Sequence, residues 1–443
     1  MKFRAICAFL LVVCPASLRA DELEKSRLDN WHQWRGPQAT GVAPNGDPPV
    51  KWDAKTNLKW KTALPGRGSS TPIIWGDNVF VLSAIDTGRQ AEAKDIPAPD
   101  PKFVGDKKTK APTNYFQFVV LCLDRQTGKV RWQQTTAEKV PHEGHHETHS
   151  YAAFSPITDG KFLYVLFGSR GVYCYDFAGK LHWQRDLGRM ETRYGWGEGC
   201  APALHRDTLL VNWDHEGHSF IVALDTRTGV VRWKVDRDEV SSWATPLVVE
   251  HAGKAQVVVN GTKRVRGYDV ATGKVLWECG GQTVNAIPSP VVSDGLAICM
   301  SGYRGSAARA IPLDSTGDVT EKPAWRHDRG TPYVPSPLLL GGRLYFTQGN
   351  TQLLTCLDAK TGKVIYDRER LPGLTSLYAS PAAARDRIYL CGRDGTVLVI
   401  KAGDKVEVLA NHSLGEGIDA SPAIVGKQLF LRGEKHLFCI AGE

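Results

Sequence analysis

Apolar runs of about six residues recur along the chain and are separated by short polar turns. The run Phe162–Phe167, for example, follows a turn that contains Asp159 and Gly160. Runs of this length that are rich in β-branched and aromatic residues and bounded by Gly and Asp predict β-strands. The chain is also too rich in glycine, with 44 Gly in 443 residues, for a helical bundle. The pattern therefore predicts an all-β fold of many short strands.

The predicted strands fall into eight copies of one unit, and each copy begins with a small residue followed by proline. Successive prolines are separated by 84, 46, 44, 44, 47, 44 and 41 residues. This period is typical of a four-stranded propeller blade, so the sequence predicts an eight-bladed β-propeller of four-stranded antiparallel blades. The eight starts are Thr71-Pro72, Ser155-Pro156, Ala201-Pro202, Thr245-Pro246, Ser289-Pro290, Ser336-Pro337, Ser380-Pro381 and Ser421-Pro422.

The chain termini together supply one blade. The eighth copy stops after its third strand, at Leu437–Ile440, whereas the N-terminal run 57–62 has a Trp at position 60 and looks like a fourth strand without the first three. Pairing the two runs would remove open sheet edges. We therefore expect an N-terminal strand to complete the last blade and close the ring.

Three segments stand apart from the repeats. Residues 1–20, with Lys2 and Arg4 before an apolar run and Ala20 at the end, are typical of an export signal. Val13 before Cys14 does not favour a lipoprotein signal. We expect residues 21–56 to form an N-terminal strap across the outside of the propeller, which occupies residues 57–443. An insertion at about 86–114 in the first copy is rich in Pro, Lys and Asp, which predicts an exposed loop.

Charge and cysteine usage narrow the function classes. The formal net charge is +8, but the Lys and Arg residues are not clustered as nucleic-acid binding requires, so we exclude nucleic acid. The excess of positive charge is compatible with association with a membrane surface. Cys122, Cys174, Cys356 and Cys439 occupy the repeat position that is Ala223 in another copy. We therefore interpret most cysteines that follow the export signal as free, buried thiols.

The repeat resembles a known family. Ala223-Leu224-Asp225, Thr228-Gly229 and Trp233, with their copies, resemble the tryptophan-docking repeat of PQQ-like eight-bladed β-propellers. That family includes quinoprotein alcohol dehydrogenases and the outer-membrane assembly factor BamB. The resemblance implies that an enzyme of the family would carry an adjacent Cys-Cys pair and Ca²⁺ ligands, and in some members a Cys-x-x-Cys-His haem site. This chain has no adjacent cysteines and no Cys-x-x-Cys, which favours a binding module over an enzyme.

One candidate site is rich in histidine. His142, His145, His146 and His149 lie in the link between the first two copies and are interspersed with Glu143 and Glu147. Imidazole nitrogens at this spacing can bind Zn²⁺ or a similar ion. A solvated loop in which His and Glu pair with each other is the alternative. A loop of the third copy adds further polar residues, namely Asp214, His215, Glu216 and His218.

A second candidate site lies at the mouth where the propeller loops converge. Arginines there would suit carboxylates or an acidic partner, and aromatic side chains would suit a sugar or peptide. Packing between blades is the alternative for Trp196 and Trp243. The mouth candidates for binding a cofactor or another ligand are Arg170, Trp196, Glu198, Arg264, Arg304 and Arg393. Arg432, Trp243, Tyr333, Glu416 and Asp419 occupy comparable positions.

These observations favour an exported, periplasmic or secreted β-propeller that acts as a protein-binding or scaffolding module, as BamB does. We expect a single monomeric propeller whose partner is another envelope or secreted protein. One alternative is a periplasmic oxidoreductase that depends on PQQ or on a divalent metal. A further alternative is a carbohydrate-binding propeller. The sequence assigns no catalytic residue and no cofactor to the binding module.

Overall fold

The computed structural model describes residues 25–442, which form eight β-sheets arranged as blades around one axis. Each blade has four antiparallel strands. The first strands of neighbouring blades contact one another around the axis. The predicted all-β eight-bladed propeller is therefore confirmed. The predicted export signal lies outside the described residues, and within them no helix has the length and apolar character that a bilayer-spanning segment needs.

The four strands of each blade run in order from the axis to the rim. Blade 1 contains Ile73–Trp75, Asn78–Gln90, Asn114–Asp124 and Val130–Lys139; blade 2 contains Ile157–Thr158, Phe162–Leu166, Val172–Asp176 and Leu181–Arg185; blade 3 contains Ala203–His205, Thr208–Trp213, Phe220–Asp225 and Val231–Asp236; blade 4 contains Leu247–His251, Lys254–Val259, Val265–Asp269 and Val275–Cys279. Blade 5 contains Val291–Ser293, Leu296–Ser301, Ala307–Pro312 and Trp325–Arg326; blade 6 contains Leu338–Leu340, Arg343–Thr347, Leu353–Asp358 and Val364–Arg370; blade 7 contains Ala382–Ala384, Arg387–Cys391, Thr396–Lys401 and Glu407–Ser413; blade 8 contains Ala423–Val425, Gln428–Arg432, His436–Ala441 and Leu58–Ala63.

The ring is closed by the N-terminal strand Leu58–Ala63, as the sequence predicts. This strand pairs antiparallel with His436–Ala441, with Trp60 opposite Cys439. The indole of Trp60 packs over Gly128 of blade 1, where a Cβ would lie 2.6 Å from the ring. Its Nε1 donates a hydrogen bond to the Arg125 carbonyl. The closing strand therefore connects blade 8 to blade 1 through side-chain packing as well as through its own sheet.

The same contact joins other neighbouring blades. Trp132 packs over Gly179 of blade 2 and donates to the Phe177 carbonyl at 2.8 Å. Trp183 and Trp233 make the equivalent contacts with the turns of blades 3 and 4. The aspartate at the start of each of these turns accepts the backbone N–H groups that follow it, as Asp225 does from Thr228. The Asp, Gly and Trp positions of the repeat therefore have a structural role, since they join neighbouring blades.

Blade 5 departs from this arrangement. Its segment Gly317–Asp318 leaves the blade and pairs parallel with the fourth strand of blade 4, opposite Trp277 and Glu278. Trp277 shares a hydrophobic cluster with residues of blade 5, but its indole contacts differ from those of the other tryptophans. Its indole lies against Gly267 and donates to Gln256 Oε1 within its own blade. Blade 4 accordingly has a fifth strand at its outer edge.

Residues 31–47 lie in the channel along the axis rather than across the outside of the propeller, whereas Trp52 lies at the rim, where it stacks on His412 of the fourth strand of blade 7. Residues 31–47, termed the axial plug, enter at the ends of the first strands, where Trp31 pairs with Ile74. The plug reaches Arg35, which donates to the Pro337 and Pro381 carbonyls at the starts of blades 6 and 7. It returns through Val42–Ala43, which pairs parallel with the first strand of blade 7. Burial against the inner strands gives this segment the apolar contacts that an outer strap would lack.

The insertion in blade 1 is exposed along almost all of its length, as predicted. It contains two 3-10 turns, Ala93–Asp95 and Val104–Asp106. Two further 3-10 turns, Gly168–Arg170 and Arg193–Gly195, lie in mouth loops. The cysteines at positions 122, 174, 200, 279, 299, 356, 391 and 439 are all buried and free, which confirms the interpretation as thiols.

Candidate functional site

A cavity of about 370 Å³ opens at the mouth and follows the propeller axis. The residue three positions before the blade-start proline lines this cavity in all eight blades. The first strands of the blades begin at the mouth, so this position of the repeat points to the axis each time. The eight residues are Ser69, Ala153, Gly199, Trp243, Ile287, Val334, Tyr378 and Asp419.

Aromatic side chains form much of the cavity wall. Tyr303 and Tyr333 stack with their ring centroids 4.8 Å apart, and Trp196 meets Tyr303 edge-on at 6.0 Å. Trp243 is held by a hydrogen bond from its Nε1 to the Gly197 carbonyl. Trp34, from the axial plug, also lines the cavity. The plug therefore closes the axis opposite the mouth, and the cavity is open at one end.

A ring of hydroxyl groups surrounds the cavity at the level of the blade-start prolines. Six times, a backbone N–H just before the proline of one blade donates to the hydroxyl at the equivalent position of the next blade, at 2.9–3.0 Å. The series is interrupted at Ala201, which has no hydroxyl. It is also interrupted at Thr71, whose buried Oγ1 has no hydrogen-bond partner among the described residues. The accepting hydroxyls belong to Ser155, Thr245, Ser289, Ser336, Ser380 and Ser421.

The four predicted histidine ligands point to different places. His146 and His149 line the cavity, and the His146 Nδ1 lies 2.8 Å from Thr148 Oγ1. His145 packs edge-on against Tyr151, with ring centroids 4.6 Å apart. His142 faces the other way, with its Nε2 2.6 Å from the Met190 carbonyl. The structure does not bring the four rings together as one ligand set, so a metal held by all four stays a prediction.

Burial keeps two of these histidines neutral. Desolvation lowers the pKa of His149 to about 4, and the neighbouring His145 contributes in the same direction. The ring of His149 lies against Gly197, where a Cβ would be 2.4 Å from it. Desolvation and the positive charge of Arg170 lower the pKa of His142 to about 2. Each ring therefore offers one lone pair near neutral pH.

His142 belongs to a buried group of charged side chains behind the mouth. Ligand atoms of His142, Glu143 and Glu191 lie within 4.8 Å of one another, so these three residues could hold a metal ion. However, Lys107 Nζ lies between the two carboxylates, 2.6 Å from Glu143 Oε2 and 3.0 Å from Glu191 Oε2. Burial and the charge of Glu198 raise the pKa of Glu143 to about 7. Lys107 pairs with both carboxylates, and Arg189 Nε lies 2.7 Å from Glu191 Oε1 on its other side.

The predicted arginines do not converge on the cavity. Arg170 is buried and donates to Glu198 Oε1 at 2.8 Å, while Arg264 pairs with Glu278 and Asp318. Arg432 is buried against the hydroxyls of Ser70 and Ser83. Arg304 lies over the outer face of the Tyr303 ring, and Arg393 covers Tyr378 and pairs with Asp419. None of the five guanidinium groups lines the cavity.

Some of the other mouth candidates line the cavity, and others point away from it. Trp196 and Trp243, which could also have been blade packing, line the cavity together with Tyr333 and Asp419. Glu198 points away toward Arg170, and Glu416 pairs with His436. In the third copy, Asp214 forms a fully buried pair with Arg237, and His215 Nδ1 accepts the Glu191 N–H. The sequence reasoning missed Trp34, Tyr303, Tyr378 and Thr71 in the cavity wall, and Lys107 and Glu191 behind it.

The cavity does not fit PQQ. This cofactor carries three carboxylates, which require cationic partners when they are buried. The cavity lining contains no Lys or Arg and does contain the Asp419 carboxylate, whose pKa is raised by burial. Cys200 is the cysteine of the lining, and its thiol lies near the Ala244 carbonyl rather than a second sulfur. We therefore derive no chemistry from PQQ at this site.

Comparison with known proteins agrees with the fold. The structure is similar to BamB from Moraxella catarrhalis, with 13% identity, a TM-score of 0.53, and coverage of 81% of this chain and 98% of that one. It is also similar to the quinohemoprotein alcohol dehydrogenase of Comamonas testosteroni, with 11% identity, a TM-score of 0.64, and coverage of 98% of this chain and 83% of that one. None of the curated proteins matches the sequence. The family model described as outer membrane protein assembly factor BamB matches residues 117–368, more than half of the chain, and the chain therefore belongs to that family.

Proposed function

We propose that this chain is a protein-binding or scaffolding propeller that acts outside the cytoplasm, and that its partner binds at the mouth beside blade 1. The observation that supports this most is a projection found in blade 1. The second strand of blade 1 has 13 residues, whereas the second strands of the other seven blades have five or six. Residues 86–116, termed the arm, comprise the end of this strand, the insertion and the start of the third strand.

Contacts within the arm hold it in one shape. Arg89 lies over the Tyr115 ring at 3.6 Å and forms an ion pair with Glu138. The Tyr115 hydroxyl donates to Asp95 Oδ2 at 2.6 Å. Because the arm is ordered before a partner arrives, binding through it loses less conformational entropy than binding through a free loop.

Contacts with the mouth fix the arm to the propeller. Lys107 reaches the buried carboxylates of Glu143 and Glu191, and Thr109 Oγ1 donates to the Gly195 carbonyl at 2.6 Å. Lys108 lies over the Tyr194 ring at 4.1 Å. The arm thereby lies beside the mouth loops, and the two form one continuous surface.

The arm also presents apolar surface. Val104 is 49% exposed and Ile96 is 37% exposed. A groove of about 380 Å³ lies beside the arm and is lined by Phe103, Leu187 and Trp213 among others. Exposed apolar side chains beside a groove with aromatic lining are features of surfaces that bind proteins. Recognition loops on a rigid scaffold are the usual way in which a propeller serves as a binding module.

The test compares the full chain with a variant that lacks the end of the arm. Gln90 and Asn114 are register partners, so residues 91–113 can be replaced by an Asn-Gly hairpin turn. Each protein is used as bait on an envelope extract of the native host, and a V364S variant, altered on the outer strand of blade 6, is the matched control. We expect one protein to be captured stoichiometrically by the wild type and V364S and lost with the short arm. Capture that survives the deletion, or no capture by any bait, would contradict the proposal.

Export is a separate part of the proposal with its own measurement. The chain purified from its native host should begin at Asp21, because the predicted signal ends at Ala20. N-terminal sequencing of the periplasmic and secreted fractions tests this. An intact residue 1 in a protein recovered from the cytoplasm would overturn it.

A further inference from the structure

We propose that the axial cavity binds the end of a neutral, hydroxyl-rich saccharide chain. This site is distinct from the arm, and the inference does not rest on the partner proposed above. It rests on the aromatic walls, the hydroxyl ring, the charge of the lining and the closed end of the cavity.

The hydroxyl ring leaves hydrogen-bonding capacity beside the cavity that the described chain does not use. Ser155, Ser380 and Ser421 line the cavity, are at least nine-tenths buried, and each accept a backbone N–H from the neighbouring blade. Among the described residues no acceptor is found for their own hydroxyl hydrogens. The Thr71 hydroxyl, 1% exposed, has neither donor nor acceptor within that part of the chain. Buried polar groups of this kind require a partner, and a ligand rich in oxygen supplies it.

The aromatic side chains select the shape of that ligand. Trp196, Trp243 and Tyr378 present rings to the cavity beside the hydroxyls. The faces of sugar rings are apolar C–H surfaces and their edges are hydroxyls, so a sugar satisfies aromatic walls and a polar ring together. The indole N–H of Trp196 has no hydrogen-bond partner in residues 25–442 and adds a donor at the mouth.

The charge of the lining favours a neutral saccharide. Asp419 supplies the carboxylate of the cavity, and one of its oxygens accepts from Arg393 Nε at 2.8 Å. A carboxylate in a partly buried site is a strong acceptor for ligand hydroxyls. Since Arg393 is already paired with Asp419 and the lining contains no Lys or Arg, an acidic sugar would bring a second negative charge without a further cation in the lining to balance it.

The axial plug sets which part of the saccharide enters. Trp34 lies in the cavity wall and the plug behind it is bonded to the inner strands of blades 1, 6 and 7. A polymer cannot pass along the axis while the plug is in place. The cavity volume, about 370 Å³, falls within the usual range of about 300–1,000 Å³ for small-ligand sites. The site therefore takes a chain end rather than the interior of a chain.

The hydroxyl ring provides two variants that remove the same kind of hydrogen bond and differ in whether the residue lines the cavity. S380A and S336A each remove a hydroxyl that accepts one backbone N–H from the preceding blade. Ser380 lines the cavity, whereas Ser336 does not. Both variants should therefore lose similar stability, and a difference between them in ligand binding reports contact with the ligand. W196A removes one aromatic wall, and Y115A removes an aromatic ring on the arm as its control.

The experiment titrates the full mature chain by calorimetry with cellotriose, maltotriose, xylotriose, mannotriose and triacetylchitotriose, and with trigalacturonate as the acidic probe. We expect at least one neutral trisaccharide to bind, with affinity reduced about tenfold or more in W196A and several-fold in S380A, and unchanged in S336A and Y115A. Failure of all five neutral trisaccharides to bind at millimolar concentration, equal losses in S380A and S336A, or a preference for trigalacturonate would overturn the proposal. Partner capture through the arm should be unchanged in S380A, which alters blade 7 away from the arm, so the two proposals fail independently.

Discussion

The ammonium group of Lys107 lies 2.6 Å from the Glu143 carboxylate and 3.0 Å from that of Glu191. Lys107 comes from the insertion in blade 1, Glu143 from the link to blade 2, and Glu191 from the link to blade 3. One side chain therefore joins three consecutive parts of the mouth. The two carboxylates are buried, so this lysine both attaches the arm and balances their charge, together with Arg189, whose Nε lies 2.7 Å from Glu191 Oε1.

Replacing Lys107 should destabilise the protein. In K107M the carboxylates of Glu143 and Glu191 lose a buried cation, which should lower the free energy of unfolding by about 3 kcal/mol. K94M is the matched control on the same insertion, because the Lys94–Glu92 pair is exposed on both sides. Urea denaturation of the two variants measures the difference. Equal stability of K107M and wild type would show that the ion pairs do not hold the arm.

The packing of Trp60 on Gly128 should make ring closure sensitive to a single methyl group. In G128A the alanine must keep the positive φ of Gly128, which disfavours any side chain, and its Cβ would also lie 2.6 Å from the Trp60 ring. Together these effects should cost about 3 kcal/mol. G88A carries the same backbone penalty with nothing within 4 Å of the new Cβ, so it should cost about 1 kcal/mol. Thermal unfolding of both variants tests this, and a G88A variant as unstable as G128A would contradict it.

Stability should fall on mild acidification. Burial lowers the pKa of His32 to about 3, of His142 to about 2 and of His149 to about 4, from an ordinary value of 6.5. Below pH 6.5 the unfolded chain therefore binds protons at these sites that the folded chain does not. Glu143 acts in the opposite direction between pH 7 and 4.5, because its pKa is raised to about 7 in the folded state.

The net loss should be about 2 kcal/mol between pH 6.5 and 5.5, since three histidines outweigh one glutamate. Urea denaturation over this range measures it. H149N should show a shallower pH dependence than wild type, whereas H218N, which alters an exposed histidine, should not. Stability that rises on acidification would contradict the assignment of buried neutral histidines.

The described thiols should be unreactive in the folded protein. Burial raises the pKa of Cys122, Cys174 and Cys391 to about 12, and the other described cysteines are shifted in the same direction. Reaction depends on the thiolate, so iodoacetamide should modify none of the eight under mildly alkaline conditions. All eight should react after unfolding in urea. Peptide mass spectrometry assigns each site, and rapid modification of Cys200 in the native protein would show that the cavity admits the reagent to its thiol.

The blades could be predicted from the sequence because a small residue followed by proline marks the start of all eight, and further turn signals recur in several of them. The turn of Asp225 and Gly229, followed by Trp233, is one copy of such a signal. Ring closure could be predicted because the strand around Trp60 looks like the fourth strand of a blade, and no first three strands precede it in the sequence. The axial plug was misplaced because Trp31 and Arg35 lie outside the repeat, and no periodic pattern relates them to the inner strands that bury them.

The site was predicted less completely, for a geometric reason. Histidines and arginines stand out in a sequence, but His142 and Arg170 turn away from the axis to pair with other groups. Cavity side chains such as Tyr378 and Asp419 share one repeat position, three residues before the proline, and this register is visible in the sequence once it is sought. Trp34 and Lys107 could not be found in this way, since both come from segments outside the repeats.

A protein partner that binds on the arm side of the mouth should lie within reach of Phe103. Site-specific photo-crosslinking tests it most directly, with benzoylphenylalanine placed at Phe103 beside the groove and, as the control, at Val364 on the outer strand of blade 6. In cells of the native host we expect irradiation to give one discrete protein adduct from position 103 and none from position 364. Equal adducts from both positions, or an adduct from position 364 alone, would show that no partner binds specifically at the arm.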